Sequence, residues 1–332
     1  MSTLIRAATL KNYFDVAQQL ELNPQPWLHA AGLSRAMLAD PERRIPAAAA
    51  VRLLEHSAHA SGCDTFGLRM AEARQLSDFG VVSLLLIHQP TLRDALVTTM
   101  KYRHLLNELL AIHVEERGRT VVIREEFVPD AGSASRQAVE LALGALHRLC
   151  GALLGPHWKP HAVAFTHAAP ANPQVHRRVF RCALEFDREF NGIVCDAADL
   201  NFRNPSADPT MATYVKRLVE SLPGPSNRSV ASDVRRDLYI LMPMGRATIE
   251  QVARGLGLNV RTLQRRLEDA DETFSNTLNS VRRELVLRYM KNPQYSLQVV
   301  GRLLGFSTPS SFTRWFSTEF GMAPRAWRNA SR

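Results

Sequence analysis

A duplication near the C-terminal end constrains this chain more than any other feature. Val252-Ala-Arg-Gly-Leu-Gly-Leu258 realigns on Val300-Gly-Arg-Leu-Leu-Gly-Phe306 at an offset of 48 residues. Leu263-Gln-Arg-Arg-Leu267 then realigns on Phe312-Thr-Arg-Trp-Phe316 at an offset of 49, so the second turn is one residue longer. Each copy holds the parts of two short helices crossing through a tight turn. Thr248 caps the first helix, with Gln251 three residues on completing a capping box. Ala253 and Gly301 put small side chains where the helices must approach, and Gly257 and Gly305 supply the positive φ at which a helix ends. Asn259 caps the second helix of the first copy. In the other copy Thr308 caps and Pro309 takes the first helical position, where a missing N–H costs little.

Spacing sorts the faces of each second helix. Leu263 and Leu267 point inward, as do Phe312 and Phe316. Arg261, Gln264 and Arg265 fall outside in the first copy, and Ser310 and Arg314 in the second. A buried, unpaired guanidinium would be costly, so these arginines face solvent or an anion. Arg and Gln also read guanine and adenine edges in a major groove. The competing reading is an ordinary charged helix surface. Between the copies, 275–291 carries Leu278, Val281, Leu285, Val286 and Tyr289 at helical spacing. Such a helix is roughly 25 Å long. It suits two recognition helices set about one DNA turn (~34 Å) apart on the same side of a duplex. Arg282, Arg283 and Arg288 on its polar side either reach phosphate or remain solvated surface.

Charge follows the repeat. Residues 226–332 hold 17 Lys+Arg against 9 Asp+Glu, whereas the first 225 hold 24 against 23. The net +9 of the chain is therefore concentrated in its last third. Sixteen of those 17 cations are arginine, suited to bidentate phosphate and guanine contacts. Charge alone does not separate a nucleic-acid surface from a solvated basic face.

Ser221-Leu-Pro-Gly-Pro-Ser-Asn-Arg-Ser229 opposes helix and central strand alike and marks a domain boundary. We expect a first domain over 1–220, a linker over 221–230 and a DNA-binding domain over 231–332. Upstream, apolar spacing predicts helices over Tyr13–Leu20, Ile45–Ala60 and Leu92–Leu106, the last capped by Thr91 with Asp94 in its first turn. Val81 to Ile87 suits a buried core segment. Leu109–Glu115 and Thr120–Val128 alternate around Arg117-Gly118-Arg119 and predict a hairpin. A helix over Gln137–Leu154 follows. Strands are expected at His161–Thr166, Leu184–Asp187 and Gly192–Val194, with a helix near Pro173–Cys182. The fold class is thus an α+β N-terminal domain, helices covering a small antiparallel sheet, plus an all-α C-terminal domain with two helix-turn-helix units joined by a long helix.

Several function classes find no support. No ~18-residue uncharged apolar run suggests a membrane span, and no secretory signal is evident, so a cytoplasmic protein is expected. Cys63, Cys150, Cys182 and Cys195 lack metal-ligand or redox spacing and read as free thiols. No phosphate loop or dinucleotide fingerprint is present, so neither an enzyme nor a metal or cofactor site is expected. All eleven histidines precede the linker. His157 and His161, among Pro156, Trp158 and Pro160, read as turn or strand-edge residues. Tyr102, Arg103 and His104 either line a pocket or lie on the surface, the latter being the plainer reading.

The C-terminal repeat resembles the AraC/XylS family of bacterial regulators over about Ser232 to Arg328. The most specific stretch is Leu304-Gly-Phe-Ser307, Phe312-Thr-Arg-Trp-Phe316 and Phe320-Gly-Met-Ala-Pro-Arg-Ala-Trp-Arg328. The resemblance implies seven helices, double-stranded promoter DNA as partner, and base contacts from Arg261, Gln264, Arg265, Ser310 and Arg314. It also implies transcription activation with RNA polymerase as a further partner. Asp271 stands where the family usually has glycine, Trp315 where it has something smaller, Trp327 where it has tyrosine, and Pro309 where some members have a polar base-contacting residue. The N-terminal region resembles the non-cupin sensor domain of one branch through Arg44-Ile-Pro46, Phe66-Gly-Leu-Arg-Met70, Pro90-Thr-Leu-Arg-Asp-Ala-Leu96 and Lys101-Tyr-Arg103. That implies a small-molecule effector or a homodimer. Two rivals stay open: a regulator whose N-terminal domain only dimerises, and a DNA-repair methyl acceptor with a similar DNA arm.

Overall fold

The computed structural model describes residues 3–128, 135–222 and 229–330. It divides into two units, Met1–Ser226 and Asn227–Arg332.

The N-terminal unit opens with β1 (Leu4–Arg6), which leads through α1 (Tyr13–Gln19), α2 (Gln25–Ala31) and α3 (Arg35–Ala39) to an antiparallel partner, β2 (Arg44–Pro46). Ile5 lies opposite Ile45. The helix expected over Ile45–Ala60 therefore starts later, as α4 (Ala47–Ser61), with Pro46 extended at its N-cap. A residue before proline is pushed out of helical backbone, and β1 supplies the pairing that extended backbone needs. After α5 (Phe66–Glu72) comes α6 (Val81–Ile87). Here Val82, Leu85 and Leu86 are buried, but Leu84 and Ile87 are exposed, so the segment is not wholly core. Thr91 caps α7 (Leu92–Lys101) by accepting from the Asp94 N–H at 3.2 Å. The expected longer helix breaks at Tyr102, before α8 (Arg103–Leu106). Tyr102 is buried, not on the surface, and its hydroxyl donates to Glu220 Oε1 at 3.1 Å.

The hairpin forms as expected: β3 (Leu110–Arg117) and β4 (Thr120–Phe127) meet at Gly118, whose φ is +62°. Next come α9 (Arg136–Leu154), β5 (Ala162–Ala164), α10 (Gln174–Phe180), β6 (Ala183–Glu185) and β7 (Gly192–Asp196). The sheet order is β3-β4-β7-β5-β6. Every pair is antiparallel except β5–β6, which α10 makes parallel by carrying the chain back to the starting edge. A Cβ on Gly192 would lie 2.6 Å from the Ile123 carbonyl oxygen, so glycine permits the close β4–β7 approach. Helix α9 covers the sheet, and Val121, Ile123, Leu143, Leu146, Cys150, Val163 and Ile193 share the core between them. Asp208 caps the last helix, α11 (Pro209–Ser221), whose Val215 and Val219 are buried while Met211, Tyr214 and Leu218 are exposed. All four cysteines are free.

The expected linker, 221–230, overlaps the end of α11 at Ser221 and the start of α12 at Val230; its residues 223–228 lie outside the described residues. The second unit is all helix: α12 (Val230–Leu241), α13 (Ile249–Gly255), α14 (Val260–Glu268), α15 (Phe274–Lys291), α16 (Leu297–Leu303), α17 (Pro309–Phe320) and α18 (Pro324–Ala330). Its core is aliphatic near α13 and α14 and aromatic near α17 and α18.

Candidate nucleic-acid interface

The two copies close their turns with the same pair of backbone bonds. Gly257 N–H donates to Arg254 O at 3.1 Å and Leu258 N–H to Ala253 O at 2.8 Å. In the second copy Gly305 N–H donates to Arg302 O at 3.0 Å and Phe306 N–H to Gly301 O at 3.0 Å. This closure satisfies the last carbonyls of each scaffold helix and requires a left-handed residue, here Gly257 at φ +66° and Gly305 at +75°. Caps then start each exposed helix: Asn259 Oδ1 accepts from Thr262 N–H at 2.8 Å, and Thr308 Oγ1 from Ser311 N–H at 3.2 Å. Thr248 caps α13 by accepting from Gln251 N–H at 3.4 Å. A Cβ on Gly301 would sit 3.1 Å from Phe312 Cβ, which accounts for the smallest residue at that crossing.

Leu263, Leu267, Phe312 and Phe316 are all buried. Arg261, Gln264 and Arg265 are exposed on α14, and Ser310 and Arg314 on α17. Thus all five sequence-derived positions lie on the outer faces of the second helices, three on one copy and two on the other.

Three departures from the resemblance are resolved by geometry. Asp271 keeps the left-handed backbone of the glycine it replaces, at φ +55°, and Glu272 N–H donates to Leu267 O at 2.9 Å to close the helix. Trp315 packs with Phe306, Phe312, Phe316 and Phe320 at centroid distances of 5.4 to 6.5 Å, and Trp327 adds edges onto Phe316 and Phe320. Together these rings build an aromatic cluster beneath α17.

Arg282, one of the three arginines open to phosphate or solvent, is half-buried and engaged within the protein. Its Nε donates to Leu304 O at 3.1 Å, and its guanidinium lies 4.4 Å from the centre of the Phe306 ring. Burial lowers its pKa. Arg283 pairs with Glu319, and Arg288 lies over Tyr289 at 5.6 Å.

The N-terminal unit also holds a buried polar cluster that the reading of apolar spacing did not single out. Glu140, on α9, is fully buried, and its Oε1 accepts from Arg136 Nε and His176 Nε2, each at 2.9 Å. His167 Nε2 is 3.3 Å from the same oxygen without the alignment of a hydrogen bond. Glu140 Oε2, Arg136 Nη2 and His176 Nδ1 are buried with no partner. Phe165 and Phe186 stack beside them, 5.0 Å apart, with His176 edge-on to both. A carboxylate in a helix buried all round was the one available signal. In the same unit His147 is pushed down to about 4 and Glu125 up to about 8, both chiefly by burial. Among the described residues no cluster of His, Cys, Asp or Glu is arranged to hold a metal ion, and no helix is long and apolar enough to cross a membrane.

A family model described as the arabinose-binding domain of AraC transcription regulators, N-terminal, matches residues 22–204, more than half of the chain. The chain belongs to the AraC family of transcription regulators. A helix-turn-helix domain model matches 252–330, spanning both copies of the repeat. This AraC-family regulator is 28% identical over 330 residues to the HTH-type transcriptional regulator VirS of Mycobacterium tuberculosis, covering 99% of this chain and 97% of the relative. It is 25% identical over 332 residues to the ornithine utilization regulator of Pseudomonas aeruginosa, covering 98% and 97%. The crystal structure of transcriptional regulator CdpR from Pseudomonas aeruginosa aligns with a TM-score of 0.44 at 19% identity, over 95% of this chain and 98% of that one. With its repeat, basic second unit and family membership together, this regulator is a DNA-binding transcription regulator with an arabinose-binding-like N-terminal domain.

Proposed function

We propose that this regulator is a cytoplasmic, effector-responsive activator that sets α14 and α17 into successive major grooves of promoter DNA. Arg261, Gln264 and Arg265 would meet base edges or phosphates in one groove, and Ser310 and Arg314 in the next. The observation that carries this reading is the shared exposure of those five side chains on two helices begun and ended by matching caps and turns. Arginines supply the salt-dependent attraction, and a few side chains supply the choice of sequence. The test is Arg265→Ala, titrated against the duplex that the wild-type chain selects from a random pool. A loss of about 1–3 kcal/mol with relaxed preference at one base pair is expected. Unchanged binding would remove α14 from the interface.

Effector sensing is supported by the Glu140 cluster, whose unpartnered atoms pair an acceptor with a donor beside an aromatic wall. A neutral group such as a hydroxyl would satisfy both, and sites of that make-up suit small ligands. A ligand bound only by the folded state raises the melting temperature, so a screen of metabolites against the full chain separates a sensor from a domain that only dimerises. Self-association is supported by the Met211, Tyr214 and Leu218 stripe on α11, since two copies of one helix face complement each other about a two-fold axis. Sedimentation of Tyr214→Lys tests it. RNA polymerase is the further partner that activation requires. Against a methyl-acceptor enzyme stand the thiols of Cys182 and Cys195, raised by burial to about 11 and about 12, with Cys150 also raised well up, so that thiolate is disfavoured at each.

A further inference from the structure

Three consecutive residues of α15 each hold a different neighbour. Successive helical residues point about 100° apart, so Arg282, Arg283 and Glu284 leave the rod in three directions. Arg282 grips the turn of the second copy. Its Nε–H···O bond to Leu304 satisfies a carbonyl at the end of α16, and its guanidinium covers Phe306. Phe306 in turn packs on Phe312 and Trp315 of α17. Arg283 pairs with Glu319, near the far end of the same helix. Glu284 turns the other way: its two oxygens accept from Arg235 Nη1 and Nη2 at 2.6 Å each, and the Tyr239 hydroxyl donates to Oε2. Arg235 and Tyr239 belong to α12, which packs against both α13 and α14. A continuous line of contacts thus runs from α14 through α12, Glu284, Arg282 and Phe306 to α17.

We propose that Arg282, Arg283 and Glu284 form a clasp that sets the separation and mutual angle of the two recognition helices, with Arg282 a positioning residue and not a phosphate contact. The inference rests on the reading of α14 and α17 as the DNA-reading helices. An exposed ion pair such as Arg283–Glu319 contributes little by itself. Arg282 carries more of the clasp, because it is partly withdrawn from water, bonds a backbone carbonyl and lies on an aromatic face. The partners lie on the second copy and on α12, which packs against the first, so what the clasp controls is the spacing of half-sites that the protein accepts.

The experiment uses the full chain and the two-part duplex that the wild type selects from a random pool, with variants whose half-sites are moved by one base pair. For Arg282→Ala we expect affinity for the selected spacing to fall about tenfold, while the shifted duplexes are bound as before, so that spacing preference flattens. The slope of log affinity against log salt stays unchanged, because no phosphate contact is lost. Arg282→Lys separates charge from shape: lysine would keep a phosphate contact but lacks the planar group that bonds Leu304 while covering Phe306. It should match the alanine variant in spacing preference. A near-wild-type lysine variant, or an alanine variant weakened equally on every spacing with a slope lower by about one, overturns the clasp. A wild-type chain that selects no two-part site overturns the reading of α14 and α17, and the clasp with it.

Discussion

The two units of this regulator bury different kinds of interior. In the N-terminal unit Arg74, Arg124, Glu125, Glu126, Glu140, His147 and His176 are all withdrawn from water, alongside several hydroxyl and amide side chains. In the second unit the buried polar residues are Arg236 and Thr277 alone among those described. Apart from Arg236, the basic residues that give that unit its charge lie outside or at the edges of its core. The difference suits the two tasks proposed above. A surface that reads a long polyanion needs a stiff apolar core and charge on the outside. A domain that recognises a small molecule needs polar groups held inside, at a cost in desolvation that an occupant with complementary groups offsets.

The sharpest test of the apolar side is Phe316→Ala. Phe316 is fully buried and stacks on Phe320 at 4.5 Å. Its removal should cost about 4 kcal/mol, read as a fall in the denaturant midpoint of the transition followed by Trp315 and Trp327 fluorescence. A loss under about 1 kcal/mol would mean that the aromatic cluster is not a packed core.

On the polar side, Glu125 has a folded-state pKa of about 8 against 4.5 for the ordinary carboxyl, because burial disfavours its charge and Glu126 adds repulsion. A raised value means that stability is fully present below pH ~4.5 and is lost as pH rises toward 8. Glu125→Gln should therefore stabilise the N-terminal unit by about 3 kcal/mol at pH 8 and by nothing near pH 4, measured by melting across that range. His147 has the opposite sign. Its value is pulled down to about 4 from 6.5, so its contribution is full above pH ~6.5 and fades as pH falls toward 4. A flat difference between wild type and Glu125→Gln would erase the contrast between the interiors.

The smallest effect lies at Asp271, whose φ of +55° is a left-handed conformation that glycine adopts freely. Asp271→Gly should stabilise the second unit by about 1 kcal/mol, read from its denaturant transition, without altering DNA affinity. A destabilised variant would show that the aspartate side chain supports the turn.

How much of this was legible follows the same divide. The helix-turn-helix copies were readable because their determinants are local: caps three residues from their partners, glycines at the turns, and inward positions four apart. The Glu140 cluster was not, because Arg136, Glu140, His167, His176 and Phe186 come from two helices and the loops that follow β5 and β6, and only the fold brings them together. Arg282 read as one of three equivalent polar-face arginines, since nothing near it in sequence names Leu304 and Phe306 as its partners. Tyr102 was misplaced on the surface for a like reason, its partner Glu220 lying on α11. The late start of α4 was signalled locally by Pro46, but only the pairing with β1 made a strand of the residues before it.

The unbroken length of α15 has a consequence for how such a regulator changes over generations. On the proposed reading of α14 and α17, exchanging a side chain on either alters which bases are favoured and leaves the frame intact. Inserting one codon within the rod would advance everything beyond it by about 1.5 Å and swing it through about 100°, aiming the second reader away from the double helix. Adding seven codons would bring it back to within about 20° of its former aim, some 10 Å further along. Target sequence is thus free to drift by single substitutions, whereas the distance between half-sites can be inherited only in steps of whole helical repeats.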